Sequence, residues 1–360
     1  MDVNVDLIND GKAQGQFANQ LMTNGTLNVG AMRPYVSEAN GNTYITVYTG
    51  GDKSKPVNYK KIQVNTNGTL RRDEWKTLDA AILGISETRL NGVADLMAKG
   101  LVFNLGNAMG TTILETHDVG DALEAELTMD GISRGQNDRL EYGTNYLPIP
   151  IIHADYEINS RVLAASRALG NALDTGMAER AARKVTEKLE NMLFTSTSYS
   201  FGSGTIYGYL NHPDRNQETL PLAWDDASKT GALILTDVLN MKQASIDALH
   251  FGPWVLYIPT AYETVLDKDF AAAKGTNTIR ERILKIAGIS GIKVVDTLTA
   301  DNVVLVQMTS DVVRLVKGMP IQTVQWKTEG NFINKYKVMT IQVPQVRSDQ
   351  DGNSGIVHLA

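Results

Sequence analysis

The chain has 360 residues, of which 42% are hydrophobic and 21% charged, and its formal net charge is −6. This composition is ordinary for a folded protein with a sizeable core, and it excludes a chain that is disordered throughout. The mild excess of acid argues against tight, phosphate-driven nucleic-acid binding as the main task. Cysteine is absent, which excludes disulfides, thiolate metal sites and cysteine nucleophiles. No apolar run predicts a spanning helix, and the first residues do not resemble a signal peptide.

The first 72 residues predict an extended N-terminal arm. They are rich in Asn, Gly and Thr, and the pentapeptide Thr-Asn-Gly-Thr-Leu occurs at 23–27 and again at 66–70. Because Asn and Gly tolerate positive φ, both copies are predicted to form tight turns. The β-rich run over 43–48 predicts one short strand within this arm.

A helix and a linker are predicted over 73–111, with the helix itself over 73–99. Its apolar residues recur mostly at three- and four-residue spacing, and acidic residues occupy its first turn. Gly100 follows as a stop signal. We expect one face of this helix to pack against the rest of the fold.

Residues 112–150 predict a long, mostly polar β-hairpin. Its first strand carries several acids and no basic residue before Arg134, and its return strand ends at Pro150. Arms of roughly 16 residues would project about 50 Å at 3.3 Å per residue. A two-stranded ribbon is marginal alone in water, so we expect it to lie on another surface, such as another copy of the chain.

The most regular periodicity lies in residues 151–229. A short helix is predicted from Asn159 or Ser160, and a longer one from Asp174 or Thr175 to about residue 194. The longer helix has an apolar stripe and an opposite charged face, and such faces are usually solvated. Its charged residues are Glu179, Arg180, Arg183, Lys184, Glu187, Lys188 and Glu190.

The C-terminal third predicts mixed structure. Residues 230–310 predict a compact α/β domain, with helices at 233–249, 260–266 and 279–287 and buried strands at 254–259, 292–295 and 303–306. Residues 311–347 predict three further strands, at 312–316, 321–326 and 336–343. Residues 348–360 are predicted to be a polar tail.

Little in the sequence predicts catalysis. The five His residues are scattered, and none forms an i,i+4 ligand pair. The Gly-rich segment 202–208 departs from the dinucleotide-binding spacing, so a plain loop is the better interpretation. The acidic run 115–130 lacks the spacing of a calcium-binding loop. We therefore expect no enzyme activity and no catalytic, cofactor-binding or metal-binding residues.

The segment 147–210 carries a more specific pattern. It contains Leu-Pro-Ile-Pro-Ile-Ile-His-Ala-Asp-Tyr-Glu-Ile at 147–158, Ser-Arg at 160–161, Leu-Asp-Thr at 173–175, Ala-Ala-Arg-Lys-Val at 181–185, Glu-Lys-Leu-Glu-Asn-Met-Leu-Phe at 187–194 and Gly-Tyr-Leu at 208–210. This pattern resembles the encapsulin-like (linocin-like) branch of tailed-phage major capsid proteins, which have the Hong Kong 97 fold. In that family a short Gly-containing strand stands at the position of 208–210.

The resemblance implies an α+β fold of the Hong Kong 97 capsid type, and the order of elements fits along most of the chain. Its implied parts are an extended N-terminal arm (1–72), an N-terminal helix and linker (73–111), an E-loop hairpin (112–150), a P-domain with a spine helix (151–229), a mixed α/β A-domain (230–310), P-domain strands (311–347) and a C-terminal tail (348–360).

The function that the resemblance implies is that of a major capsid protein. Such a chain self-assembles in the host cytoplasm into the icosahedral head shell of a virion, enclosing the double-stranded DNA genome of a tailed bacteriophage. Its implied partners are other copies in pentamers and hexamers, portal, scaffolding and cementing or decoration proteins, and weakly contacted DNA, with no membrane.

Two alternatives stay open. One is an encapsulin-type nanocompartment shell that houses a cargo enzyme, and the other is a soluble enzyme whose site the sequence does not reveal. Short encapsulin chains begin close to the helix predicted at 73–99. The longer N-terminal region of this chain therefore favours a virus capsid.

The hairpin acids and the basic residues of the spine helix are hypothesised to meet across neighbouring copies. One ribbon arm lacks basic residues, whereas one helix face has several. Solvated charges on both sides are an equally good interpretation, because exposed ion pairs are weak. The candidate contact residues are Glu115, Asp118, Asp121, Glu124, Glu126, Asp130, Arg134, Arg180, Arg183, Lys184 and Lys188.

Two further expectations concern covalent changes during assembly. Some members of this fold join a hairpin Lys to an Asn of a neighbouring copy, but this chain has no Lys between Lys99 and Lys184. We therefore expect a shell without covalent cross-links. The region before the first helix is predicted as turns and strand, so we also expect the N-terminus to be retained and scaffolding to come from a separate protein.

Overall fold

The structure is a computed structural model, and it describes most of the chain from residue 33 onward. The described residues are 33–48, 55–64, 70–89, 91–106, 108–119, 129, 142–168, 175–194, 198–271, 277–329, 332–349 and 352–360. Within them, the strands form a three-stranded, a four-stranded and a five-stranded sheet and two two-stranded ribbons. The predicted α+β class is confirmed.

The N-terminal region contains a small antiparallel sheet of β1 (Tyr35–Val36), β2 (Thr43–Tyr48) and β3 (Tyr59–Gln63). Ile45 of β2 is fully buried, and Tyr35 belongs to the main hydrophobic core. The predicted strand at 43–48 is confirmed, but residues 35–48 and 55–64 form a packed sheet rather than an extended arm, and residues 49–54 lie outside the described residues. The apolar side of β2 needs partner strands and a core to cover it, and an arm provides neither. The predicted turns at 23–27 and 66–69 lie outside the described residues.

The described parts of the predicted helix at 73–99 are α1 (Arg72–Arg89) and α2 (Asn91–Ala98), and residue 90 lies outside the described residues. Gly92 of α2 packs closely against the spine helix, since a Cβ on Gly92 would lie 2.4 Å from Cε2 of Phe194. The predicted stop is confirmed, since Gly100 has φ of +72°. There the backbone N–H of Leu101 donates to the carbonyl of Leu96.

The second sheet, named the peripheral sheet, has four strands. Its order is β4 (Val102–Asn104), β14 (Val313–Glu329), β15 (Ile333–Val346) and β7 (Ile152–Asn159). The strands predicted at 312–316 and 321–326 are one strand, β14, which stays paired with β15 through irregular register at Lys317 to Gln322. Two short apolar runs looked separate because such irregularities disturb the alternation of side chains.

The helices that follow β7 are the most accurately predicted elements. Helix α3 (Ser160–Ala168) begins where the Asn159 side chain accepts a hydrogen bond from the Arg161 N–H. Helix α4 (Gly176–Phe194), the spine helix, begins after Thr175. Its buried stripe packs against β7, β15, α1 and α2. In the part of the chain described, no helix is both long and apolar enough to cross a membrane.

A five-stranded axial sheet has the order β10 (Asn216–Glu218), β16 (Ile356–Leu359), β13 (Val303–Gln307), β11 (Trp254–Pro259) and β12 (Ile289–Val295). On one face, Val255 and Tyr257 join the main core. On the other face, Leu256 and Ile258 pack in a second core with the axial helices. These are α5 (Gly231–Asp247), α6 (Glu263–Leu266) and α7 (Ile279–Leu284). Both faces of β11 are covered, which explains its uninterrupted apolar run.

The C-terminal residues are not a polar tail as predicted. Strand β16 pairs in parallel with β10 and antiparallel with β13, so it lies inside the axial sheet. Val357 is fully buried, and Leu359 is 2% exposed. The segment 356–359 is only four residues long and follows polar residues, so the sequence alone does not predict a strand there. The strand forms because β10 and β13 pair with it on both sides.

Two ribbons complete the described strands: β5 (Ile113–Val119) with β6 (Tyr142–Pro148), and β8 (Tyr199–Phe201) with β9 (Gly204–Ile206). The plain loop predicted at 202–208 is therefore partly a hairpin, with Gly202 at φ +61° in its turn. The short strand implied at 208–210 is a turn instead. There Tyr209 is fully buried against Phe194.

Burial of β16 predicts the effect of a small truncation in its centre. Val357→Ala should lower the free energy of unfolding by about 1–3 kcal/mol, because it removes fully buried methyl groups. The matched control is Val57→Ala, since Val57 is 80% exposed. Denaturant titration measures both, and equal effects of the two substitutions would contradict the central position of β16.

Candidate assembly surfaces

The base of the predicted hairpin is an antiparallel ribbon with continuous pairing. Its register runs from Ile113 opposite Pro148 to Val119 opposite Tyr142. The Ile149 N–H continues the ladder by donating to the Thr112 carbonyl, 2.9 Å away. Seven-residue strands extend about 24 Å at 3.4 Å per residue. The described ribbon is the base of the hairpin that the sequence predicts over 112–150, and residues 120–128 and 130–141 lie outside the described residues.

The hairpin base is attached to the peripheral sheet by apolar packing. Leu147 and Ile149 are buried with Ile206 of β9 in a third core that includes residues of β14 and β15. Strand β9 approaches β6 so closely that a Cβ on Gly204 would lie 2.6 Å from the Tyr146 carbonyl oxygen. The base therefore has a fixed position on the subunit.

A polar cavity of about 270 Å³ lies between the hairpin base, the β8–β9 turn and the end of β15. His212 lines it, and burial lowers the pKa of this imidazole. Its Nδ1 accepts the Asp214 backbone N–H at 3.3 Å, so the neutral ring carries its proton on Nε2. The Asp214 carboxylate in turn accepts the Ser348 hydroxyl at 2.6 Å. The His212 ring thus orders its own loop, and the Asp214 carboxylate joins that loop to Ser348.

The charged face of the spine helix is partly as predicted. Arg180, Arg183, Lys184 and Lys188 are all exposed. The Lys184 ammonium already pairs with Glu187 on the same helix, at 2.8 Å. The exposed side of α4 therefore carries a row of cations, one of which is paired with an acid of the same helix.

The predicted hairpin acids are only partly within the described residues. Glu115 is exposed on β5, and the backbone of Asp118 continues the same strand. The other candidates lie outside the described residues, namely Asp121, Glu124, Glu126, Asp130 and Arg134. The proposed pairing with the spine cations thus stays a prediction.

Glu190 does not lie on the solvated face of α4, where the charge pattern of the sequence predicts it. It is 4% exposed. Its carboxylate accepts the backbone N–H of Gly92 at 2.9 Å and that of Val93 at 3.5 Å, at the N-terminus of α2. Burial raises the pKa of this carboxyl to about 7. Glu190 therefore joins the spine helix to α2.

A second exposed surface lies on axial helix α5, and its charged member is Asp247, which accepts the Gln243 side-chain amide at 2.7 Å. Leu233 and Leu239 are about half exposed on its outer side, at 46% and 45%. Thr236, Asn240 and Gln243 share that side. Interface cores are depleted of charged residues, so this side of α5 differs from the spine surface and is typical of a contact surface.

A protein-family model matches most of the chain. Residues 64–359 match the family described as "Family of unknown function (DUF6260)". The chain belongs to the DUF6260 family. No curated protein matches its sequence. The match begins at the end of the small N-terminal sheet and extends through β16, so it covers the axial sheet, the spine helix and the hairpin region of this DUF6260 protein.

Solved structures show which fold this DUF6260 protein has. A virus-like particle from Pyrococcus furiosus is similar over 79% of this chain and 99% of that chain, with 17% identity and a TM-score of 0.59. The capsid of Myoviridae phage XM1 is similar over 73% and 90%, with 10% identity and a TM-score of 0.56. The predicted Hong Kong 97-type capsid fold is confirmed.

One sequence signal could have found Glu190 in this DUF6260 chain. Ala182, Thr186, Glu190 and Phe194 form an i,i+4 row, and all four are buried. The apolar stripe through Val185 was correct but too narrow. Thr186 and Glu190 are polar, so a prediction from hydrophobicity alone places their row outside the buried face. The apolar residues Ala182 and Phe194 at the two ends of the row indicate that the whole row is buried.

The close approach of β9 and β6 predicts a position-specific effect of alanine. Gly204→Ala should destabilise the protein by about 1–3 kcal/mol, because the new methyl group overlaps backbone that cannot rotate away. Gly143→Ala is the matched control on β6, since a Cβ there would have no neighbour within 4 Å. Denaturant unfolding compares them, and a tolerated Gly204→Ala would show that the hairpin base is not held as described.

Proposed function

We propose that this protein is the major capsid protein of a tailed bacteriophage. Many copies assemble into an icosahedral head shell that encloses double-stranded DNA. The observation that supports this most is the extent of the capsid fold, which includes 79% of this chain and 99% of the subunit of the Pyrococcus furiosus virus-like particle. A shell subunit needs surfaces for several neighbours at once rather than a catalytic pocket.

The hairpin supports this proposal for a physical reason. Its base is held by a hydrophobic core, whereas the segment between Val119 and Tyr142 extends the sequence by 22 further residues. A mostly polar ribbon of that length gains little stability alone. In a shell, the neighbouring subunit supplies the surface on which it lies.

The spine cations and the outer side of α5 offer two chemically different contact surfaces for further copies. Heterologous contacts in a ring join different patches of identical chains. We propose that the hairpin acids face the spine cations of a neighbour, and that the low-charge side of α5 faces another copy within the capsomer. Modest contacts become strong together because each copy has several neighbours.

Assembly is tested directly by sizing the purified protein. Light scattering and negative-stain electron microscopy should reveal closed particles of many copies, and particles from infected cells should contain DNA. Particles that hold an enzyme instead of DNA would indicate a nanocompartment shell. A monomer or dimer at high concentration would contradict the proposal.

The gel behaviour of boiled particles tests whether the shell is covalently linked. The hairpin has no Lys to serve as an amine nucleophile, and Arg134 stays protonated. Denatured particles should therefore run as one band near 39.3 kDa. A ladder of higher bands would show a cross-link that this sequence does not predict.

Charge reversal on the spine tests the proposed ionic contact. Arg183→Glu with Lys184→Glu should weaken assembly at low salt and much less at high salt, because exposed pairs contribute only about 0–1 kcal/mol each and are screened. The assay is light scattering against salt concentration.

A double reversal elsewhere controls for net charge. Lys268→Glu with Lys285→Glu makes the same charge change at exposed axial positions. Restoration of assembly by Glu115→Arg in the spine variant would support direct pairing. Unchanged assembly and salt dependence in the spine variant would exclude it.

A further inference from the structure

Helix α2 is a connector between the spine helix and the axial sheet. On the spine side, its N-terminal amides at Gly92 and Val93 donate to Glu190. Gly92 also leaves no room for a side chain against Phe194. The helix is therefore held at its first turn by a single side chain of α4 and by close packing.

The other side of α2 is attached to the axial sheet by polar contacts. Asn91 donates its side-chain amide to the Val294 carbonyl at 3.3 Å. Asp95 accepts the Tyr257 hydroxyl at 3.3 Å and pairs with the Lys293 ammonium at 3.5 Å. Lys99 reaches the Ser290 hydroxyl at 3.3 Å, one turn beyond Asp95. Movement of α2 would therefore carry β12 with it.

The groups that face Glu190 are mostly acidic or weakly acidic. Asp95 of α2 and Asp296, which follows β12, both disfavour its ionised form. Burial raises the pKa of the Tyr209 and Tyr257 phenols, and the carboxyls of Glu190 and Asp95 raise it further. Lys293 reaches Asp95 from the outside and is half exposed. Glu190 thus lacks a buried cation of its own among the described residues.

We propose that Glu190 is a proton-controlled lock between the spine helix and the axial sheet. The lock is closed when the carboxyl is protonated and loosened when it is ionised. The neutral acid still offers one oxygen to the Gly92 N–H at 2.9 Å, and it gives up only the longer contact to Val93. The ionised form places a negative charge on a side chain that is only 4% exposed, near the carboxyls of Asp95 and Asp296.

The direction of the pH effect follows from linkage. The pKa of Glu190 is about 7 in the closed structure and has the ordinary value of 4.5 when solvent reaches it. The closed junction therefore binds the proton more tightly, and opening becomes easier as pH rises from 4.5 through 7. Between pH 6 and 8 the open population should increase roughly tenfold.

Hydrogen exchange measures this opening at α2 itself. Protection factors, corrected for the intrinsic pH dependence of exchange, should fall about tenfold for residues 91–98 between pH 6 and 8. Strand β13 serves as an internal reference, because it lies between two neighbours in the axial sheet. A pH-independent protection of α2 in the wild-type protein would overturn the proposal without any variant.

Three variants assign the effect to Glu190. Glu190→Gln should make the α2 protection independent of pH. Asp95→Asn removes one facing charge, so the midpoint of the fall should move to lower pH. Glu187→Gln is the matched control on the same helix, because Glu187 pairs with exposed Lys184, and it should keep the wild-type profile. An unchanged pH dependence in Glu190→Gln would overturn the lock.

This lock lies within one subunit, so its test is separate from the test of assembly. If the protein forms no shell but α2 shows the expected exchange, the lock stands and the capsid function fails. If shells form while the hydrogen-exchange protection of α2 does not change with pH, only the proposed lock is wrong. Within a shell, the same proton would alter how firmly the axial sheet is held to the spine.

Discussion

Burial of one amphipathic helix, α4, is the interaction on which both parts of the protein depend. The helix packs against β7 and β15, and Ala178, Ala182 and Leu189 are buried in the main core. At the end of the helix, Phe194 makes edge contacts with Tyr209 and Tyr257, at 5.3 and 5.0 Å between ring centroids. Because Tyr257 belongs to β11, this aromatic cluster joins the spine to the axial sheet, and the two parts share one core.

That shared core explains how a subunit can present contact surfaces without losing its shape. The axial sheet is covered on both faces, and the hairpin base has its own apolar attachment through Leu147 and Ile149. Under the proposed function, the exposed cations of α4 and the outer side of α5 serve neighbouring copies together with the hairpin. The junction at Glu190 is different, because there a buried acid takes part in the packing itself and makes it depend on protons.

The elements that were predicted correctly are those whose signals are local. The spine helix was recognised by its periodic stripe and by Thr175 before its first turn, and the short helix α3 by its capping residue Asn159. Strands β11 and β13 were recognised because burial on both faces requires an uninterrupted apolar run. The hairpin was inferred from an acidic strand followed by a Pro-terminated return strand, and the described residues show the paired base of these two strands. The specific resemblance at 147–210 extended these local signals to the whole fold.

By itself, the sequence determined the type and approximate position of most helices and strands, because periodicity, caps and breakers act over a few residues. Only the tertiary structure decided which short segments join a sheet and which polar side chains are buried. Strand β16 has four residues and becomes a strand because β10 and β13 supply hydrogen bonds on both sides. Glu190 looked solvated because a charge on a helix usually is. Its carboxylate is buried because it accepts the backbone N–H of Gly92. Gly92 lies 98 positions earlier in the chain, so no local sequence pattern predicts this partner.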